Sequence, residues 1–206
     1  MKLVTPPKFV RWLYPNRVWE VPQGTSMQLT FDDGPIPEVT PWVLDLLKAH
    51  NVKASFFCIG DNVRRHPAIF KRIVGEGHRV GNHTHNHLNG WKTDTETYLN
   101  NALKAARQMD RTAADWQGNG QKLFRPPYGR LTSRQATMLR EEGYEIVMWS
   151  ILSYDFDTSE TPEGCYNNIV KHLAPGKIVV FHDSLKAEKN LRHVLPKIVK
   201  SLTNNK

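Results

Sequence analysis

Short apolar runs of strand length alternate with stretches of helical period along the chain. Strands are predicted at MQLTF (27–31), KASFFCI (53–59), HRVGN (78–82), KLFR (122–125), EIVMW (145–149) and KIVVFH (177–182). Between them, Val39, Val43, Leu46 and Leu47 share one helical face, and Ile69, Ile73 and Val74 share another. TDTE (93–96) fits a capping box with Thr93 as N-cap and Glu96 reaching back, opening a helix to about Met109. Further helices are predicted from Ser133 to Glu142, stopped by Gly143, from Pro162 to Leu173, and from Asn190 to Leu202.

This βαβα order predicts parallel strands with crossover helices on their outer side. The strands are apolar almost throughout, as strands covered on both faces are. A closed or nearly closed α/β barrel and an open doubly wound sheet both fit. GxGxxG and GxxxxGK[ST] are absent, which removes the common nucleotide-binding versions. Residues 1–26, rich in proline and aromatics, read as an extended arm packed on a single domain of residues 27–206.

Composition changes this picture little. The 206 residues are 39% hydrophobic and 23% charged, enough for one sizeable core. No window approaches the roughly 18 apolar residues of a membrane span. The opening residues do not form a signal peptide, because Pro6 and Pro7 break any apolar core. Cys58 and Cys165 read as two free thiols, with Cys58 in the core, a weak fit to a reducing compartment; the lack of a signal peptide or membrane segment reads as cytoplasmic, and the compartment stays open. The net charge of +8 is spread without a run of like charges, and no nucleic-acid-binding pattern accompanies it, so solvated helix faces are the simpler reading.

The chemically suggestive residues all fall at or just after predicted strand ends: Asp32 and Asp33, HTHNH (83–87), RPPYG (125–129), Ser150 to Asp155, and His182 with Asp183. In parallel strands those ends share one face, the active face of a barrel or the crevice of an open sheet. His83 and His87 are four apart, so on a helical turn they face the same way and can ligate one cation; a merely polar loop is the plainer alternative. Asp33 is the candidate third ligand. A bound divalent cation would make the adjacent carboxylates tolerable, leaving Asp32 ionised as a general base. DDGP alone would read as a turn. Arg125 is placed to pair with one carboxylate, and Tyr128 carries the first backbone N–H after Pro126 and Pro127, an oxyanion donor. PPYG by itself reads more simply as a surface turn. His182 alone would be a core histidine; a bond from Asp155 would make it a protonated general acid.

Together, TFDDGP, HTHNH, FRPPYG, WSILSYDF and IVVFH resemble the five motifs of polysaccharide deacetylases, the NodB-homology enzymes of carbohydrate esterase family 4. The resemblance covers residues 27–200. It implies a distorted TIM-like (β/α) barrel of seven strands, with Asp32 as base. Asp33, His83 and His87 become its metal ligands, usually for zinc, with cobalt, nickel or manganese as alternatives. Thr84 supports the histidine loop, Arg125 pairs with the base, and Tyr128 helps bind the oxyanion. His182 is the general acid tuned by Asp155, and Val180 lines the acetyl pocket together with Pro127, Tyr128 and Phe156. Two features depart from the pattern. LSYDF places Leu152 and Phe156 where Asp and Trp are usual, and the chain stops after its last helix where many relatives add a strand, so incomplete closure is expected at that seam.

The implied activity is metal-dependent removal of acetyl groups from a carbohydrate, chiefly N-acetyl groups of N-acetylglucosamine-containing glycans, by a monomer. The alternatives are an O-acetyl esterase or cyclic-amide hydrolase on the same scaffold, or a glycan-binding relative without catalysis. The family mostly works outside the cytoplasm, against the missing export signal.

Overall fold

The strand-forming runs, dense in Phe, Val and Ile, assemble into one curled parallel sheet. The computed structural model describes residues 2–22, 25–118 and 120–203. Among them seven strands pair: β1 (Gln28–Asp32), β2 (Ser55–Cys58), β3 (Arg79–Asn82), β4 (Lys122–Phe124), β5 (Tyr144–Ile146), β6 (Ile151–Leu152) and β7 (Ile178–His182). Their order is β5-β4-β3-β2-β1-β7-β6, every pairing parallel. This is an incomplete, distorted (β/α)7 barrel, open between β5 and β6. The helices are α1 (Lys8–Leu13), α2 (Thr40–Ala49), α3 (Gly60–Arg65), α4 (Pro67–Gly75), α5 (Thr95–Thr112), α6 (Ser133–Glu141), α7 (Pro162–Val170) and α8 (Glu188–Thr203).

Alternation along each strand divides two interiors. Leu29 and Phe31 of β1 join the large core under the helices, where Phe31 stacks on Phe56 and Phe181 at 5.0 and 5.8 Å. Thr30 and Asp32 of the same strand point the other way and meet Arg125 inside the curl. A smaller cluster of Phe57, Leu123, Val147 and Ile178 fills that inner space.

The opening lies elsewhere than the sequence led us to expect. The last strand, β7, pairs with β1 along five residues, so the end of the chain closes rather than opens the curl. EIVMW is not one strand. Pairing between β4 and β5 ends at Ile146, and the chain then crosses the gap through Val147–Trp149 to rejoin the sheet as β6 beside β7. The carbonyls of Val147 and Met148 thereby lose sheet partners, and the Arg125 guanidinium donates to both, at 3.3 and 2.8 Å.

The arm is likewise not extended throughout, since it contains α1. Its flanks cover both open edges: Val18 N–H donates to the Ile146 carbonyl at 2.8 Å, and Leu152 N–H donates to the Val4 carbonyl at 2.8 Å. The predicted capping box at TDTE is replaced by a neighbouring cap. Asp94 takes the N-cap, accepting from Thr97 N–H at 2.9 Å, while the Thr93 hydroxyl donates to Asn89. Two helix ends also differ: α5 continues to Thr112, and α7 ends at Val170. Both cysteines are buried and free.

Candidate metal centre and catalytic pocket

The C-terminal strand ends converge on a cavity of about 490 Å3. Asp32, Asp33, His83, His87, Tyr128, Phe156, Val180 and His182 all line it, with Trp149, Leu152 and Lys186 completing the wall. Pro127 does not: Pro126 faces the cavity, and Pro127 is buried in the 3-10 turn Pro127–Gly129. That turn is sharp because Tyr128 adopts φ 60° and Gly129 φ 66°. A Cβ on Gly129 would lie 2.4 Å from the Trp149 ring, so glycine lets the loop seat against the crossing segment.

Asp33, His83 and His87 each bring a ligand atom within 4.8 Å of the others. The spacing logic of a helical turn does not produce this. HTHNH is an irregular loop, and its histidines converge because Thr84 and His87 take left-handed φ of 63° and 55°. Polar side chains both outside and within the motif hold that shape. Asn82 Oδ1 accepts from Thr84 N–H at 2.8 Å, Asn101 Oδ1 accepts from the amides of His85 and Asn86, and Thr84 Oγ1 accepts from Leu88 N–H. His85 points away, into a separate cleft.

The donor set fits a divalent cation. His83 Nδ1 lies 2.7 Å from the Arg125 carbonyl and must donate to it, which leaves Nε2 as a lone-pair donor facing Asp33. Burial pushes the His83 pKa down to about 4, so the ring is neutral, the form that ligates. Burial alone would raise the Asp33 pKa, but His87 together with the nearby His182 and His83 holds its carboxyl well below the usual range. Asp33 Oδ1 is buried with no hydrogen-bond donor, although His87 Nε2 and His83 Nε2 stand 3.3 and 3.7 Å away. A buried charged oxygen lacking a donor, facing two imidazole nitrogens, is what a cation would satisfy.

Asp32 stands beside this cluster in a different environment. The fully buried Arg125 donates to Asp32 Oδ1 and to Thr30 Oγ1, both at 2.7 Å, while its guanidinium packs 4.0 Å over Phe57. Across the cavity, Asp155 grips His182 twice, accepting from its backbone N–H and from ring Nδ1, each at 2.7 Å. Ser153 Oγ donates to the same carboxylate at 2.8 Å. Burial would lower the His182 pKa, but Asp155 outweighs it and the value is pushed up to about 9.

Asp183 has a role that no sequence pattern assigned to it. Its N–H donates to the Asp32 carbonyl, and its carboxylate accepts from Gly34 N–H at 3.0 Å and Thr40 Oγ1 at 2.6 Å. Burial pushes its pKa up to about 8 despite these donors. It clamps the end of β1 and the turn after it, which carry Asp32 and Asp33, and a Cβ on Gly34 would lie 2.0 Å from it.

An open (β/α) barrel with an aspartate–two-histidine cluster and a free carboxylate at its C-terminal strand ends is a frame on which metal-assisted hydrolysis can be built. A family model described as polysaccharide deacetylase matches residues 20–147, and the chain belongs to that family. It is 40% identical over 159 residues to a peptidoglycan-N-acetylglucosamine deacetylase of Bacillus cereus, covering 77% of this chain and 56% of that relative. It thus spans little more than half the length of that relative. It is 32% identical to a chitooligosaccharide deacetylase of Azorhizobium caulinodans, covering 77% of this chain and 74% of that one. Among solved structures, a peptidoglycan N-acetylglucosamine deacetylase in complex with 4-naphthalen-1-yl-N-oxidanyl-benzamide superposes with a TM-score of 0.86 at 33% identity. The match covers 97% of this chain and 92% of that one.

Proposed function

We propose that the protein hydrolyses acetyl groups from the N-acetylglucosamine residues of a glycan, with a divalent cation, zinc first, held by Asp33, His83 and His87. The observation that carries this reading is the division of labour between adjacent carboxylates. Asp33 faces two imidazole nitrogens, and Asp32 is turned to Arg125. The relatives named for peptidoglycan and chitooligosaccharide deacetylation support the substrate class.

The cation supplies Lewis acidity toward the acetyl carbonyl and a water. Asp32, oriented by Arg125, takes the proton of the attacking water. The Tyr128 N–H, presented by the tight turn after two prolines, donates to the developing oxyanion. His182, held through Nδ1 by Asp155, delivers a proton from Nε2 to the leaving nitrogen as the C–N bond breaks. Products are acetate and a free amine. Val180, Leu152 and Trp149 give the acetyl methyl an apolar wall.

The test is acetate release from chitooligosaccharides, peptidoglycan fragments, acetyl-xylan and aryl acetates, before and after chelation and with zinc restored. Release from the N-acetylated glycans alone, lost on chelation and recovered with zinc, is expected. Asp32→Asn should lower kcat by at least about 100-fold while zinc still binds by calorimetry. Undiminished turnover in that variant would remove Asp32 as the base, and preference for acetyl-xylan would move the substrate to O-acetyl esters.

A further inference from the structure

The arm presents an apolar face that nothing covers among the described residues. Of the nine large hydrophobic side chains exposed among them, five lie within residues 3–14: Leu3, Phe9, Trp12, Leu13 and Tyr14. Phe9, Trp12 and Leu13 occupy positions i, i+3 and i+4 of α1, which places them on one side of the helix. They are 63%, 79% and 55% exposed, and no residue of α1 is buried. The helix is nevertheless anchored at both ends. Before it, Lys2 pairs with Asp157 and Glu160 at 2.8 and 2.9 Å, and the Leu3 carbonyl accepts from Tyr154 Oη. After it, Val18 bridges to Val147. The fold therefore fixes α1 on the outside of the barrel with its aromatic side outward.

We propose that this face seats α1 in the headgroup region of an anionic lipid bilayer. Trp and Phe beside Leu are the side chains that partition to that boundary, and Lys8 stands next to them, whereas Arg11 is paired with Glu20 and Lys2 with Asp157 and Glu160. Lys8 is exposed beside Phe9 and has no anionic partner among the described residues, and the chain as a whole carries +8. Both attract an anionic surface. A second copy of the chain fits less well. Three such side chains offer roughly 400 Å2 at most, about half of the ~800 Å2 each partner gives to a stable interface. The helix is far too short to span a bilayer, so the contact is peripheral.

Co-sedimentation with phosphatidylglycerol and with phosphatidylcholine vesicles tests this, independently of any deacetylase reading. The chain should partition to phosphatidylglycerol, and F9S/W12S/L13S should weaken that partitioning by at least about ten-fold. Lys8→Gln should weaken it about five-fold on phosphatidylglycerol and leave phosphatidylcholine binding unchanged. The triple variant removes only exposed side chains, so its circular dichroism should match the parent. Absence of partitioning, or equal partitioning of the triple variant through net charge alone, would overturn the proposal. So would a light-scattering mass that doubles in the parent and halves in the triple variant, which assigns the face to a second copy.

Discussion

His182 depends on Asp155 more than on anything else in the cavity. Burial disfavours its charged form, yet the carboxylate that accepts from both its backbone and its ring keeps it protonated up to about pH 9. In the mechanism we propose, His182 is the general acid, and an acid works only while it holds its proton, so activity should fall as pH rises through that value. Asp155→Asn removes the charge and keeps the shape. We expect the alkaline limb of kcat to move down by about one pH unit or more, because burial is then opposed only by the weaker fields of Asp33 and Asp32. A D155N enzyme with the parental alkaline limb would show that His182 is not the acid, or that Asp155 does not tune it. At this scale the sequence was informative about placement: two carboxylates at one strand end, paired histidines and an isolated Arg after an apolar run are brought together at one cavity and its wall. It was silent on Asn82 and Asn101 and pointed to Asp183 without a role for it; the bonds of all three to the loops depend on how the chain folds back on itself.

At the scale of elements, periodicity located the sheet and misplaced its edge. The run EIVMW is apolar whether or not it pairs, and no local signal marks where Arg125, from the preceding strand end, takes the carbonyls from a neighbouring strand. In the HTHNH loop, His83 and His87 face the same way, as their four-residue spacing predicts, but left-handed backbone torsions rather than a helical turn bring them there. Capping shows the same limit. TDTE carries the pattern, yet the reciprocal box forms between Thr132 and Gln135 at the start of α6. Gln135 is buried and does more than cap. Its Nε2 also donates to the carbonyls of Gly90 and Thr93, tying α6 to the loop before α5. Thr132→Ala should cost about 1 kcal/mol, the usual value for a lost N-cap. Gln135→Ala should cost more, about 2–3 kcal/mol, because the buried Gly90 carbonyl and the part-buried Thr93 carbonyl lose their donor as well. Urea midpoints at unchanged m-value would measure both. Equal costs would mean that water replaces Gln135 between the two segments.

For the molecule as a whole, the candidate cation site is the place where function and stability meet. Loops from two strand ends bring a charged, buried and donor-less Asp33 oxygen against His83 and His87. Folding must carry that arrangement whether or not an ion is bound, and an ion that binds only the folded chain stabilises it by mass action. At a free zinc concentration of a hundred times Kd the gain is about 2.7 kcal/mol. For a chain of this size each kcal/mol moves Tm by about 2–4 °C, so zinc should raise Tm by roughly 5–11 °C. His87 is the ligand to remove, because it is more exposed than His83 and its loss leaves the core intact. In His87→Ala the zinc-dependent rise should nearly vanish, while the metal-free Tm changes little. Scanning calorimetry of both proteins, with and without zinc, decides the matter. A rise that survives in His87→Ala would mean that zinc stabilises the fold from elsewhere. The convergence of Asp33, His83 and His87 would then have to be explained by packing alone, which the unsatisfied Asp33 oxygen makes difficult.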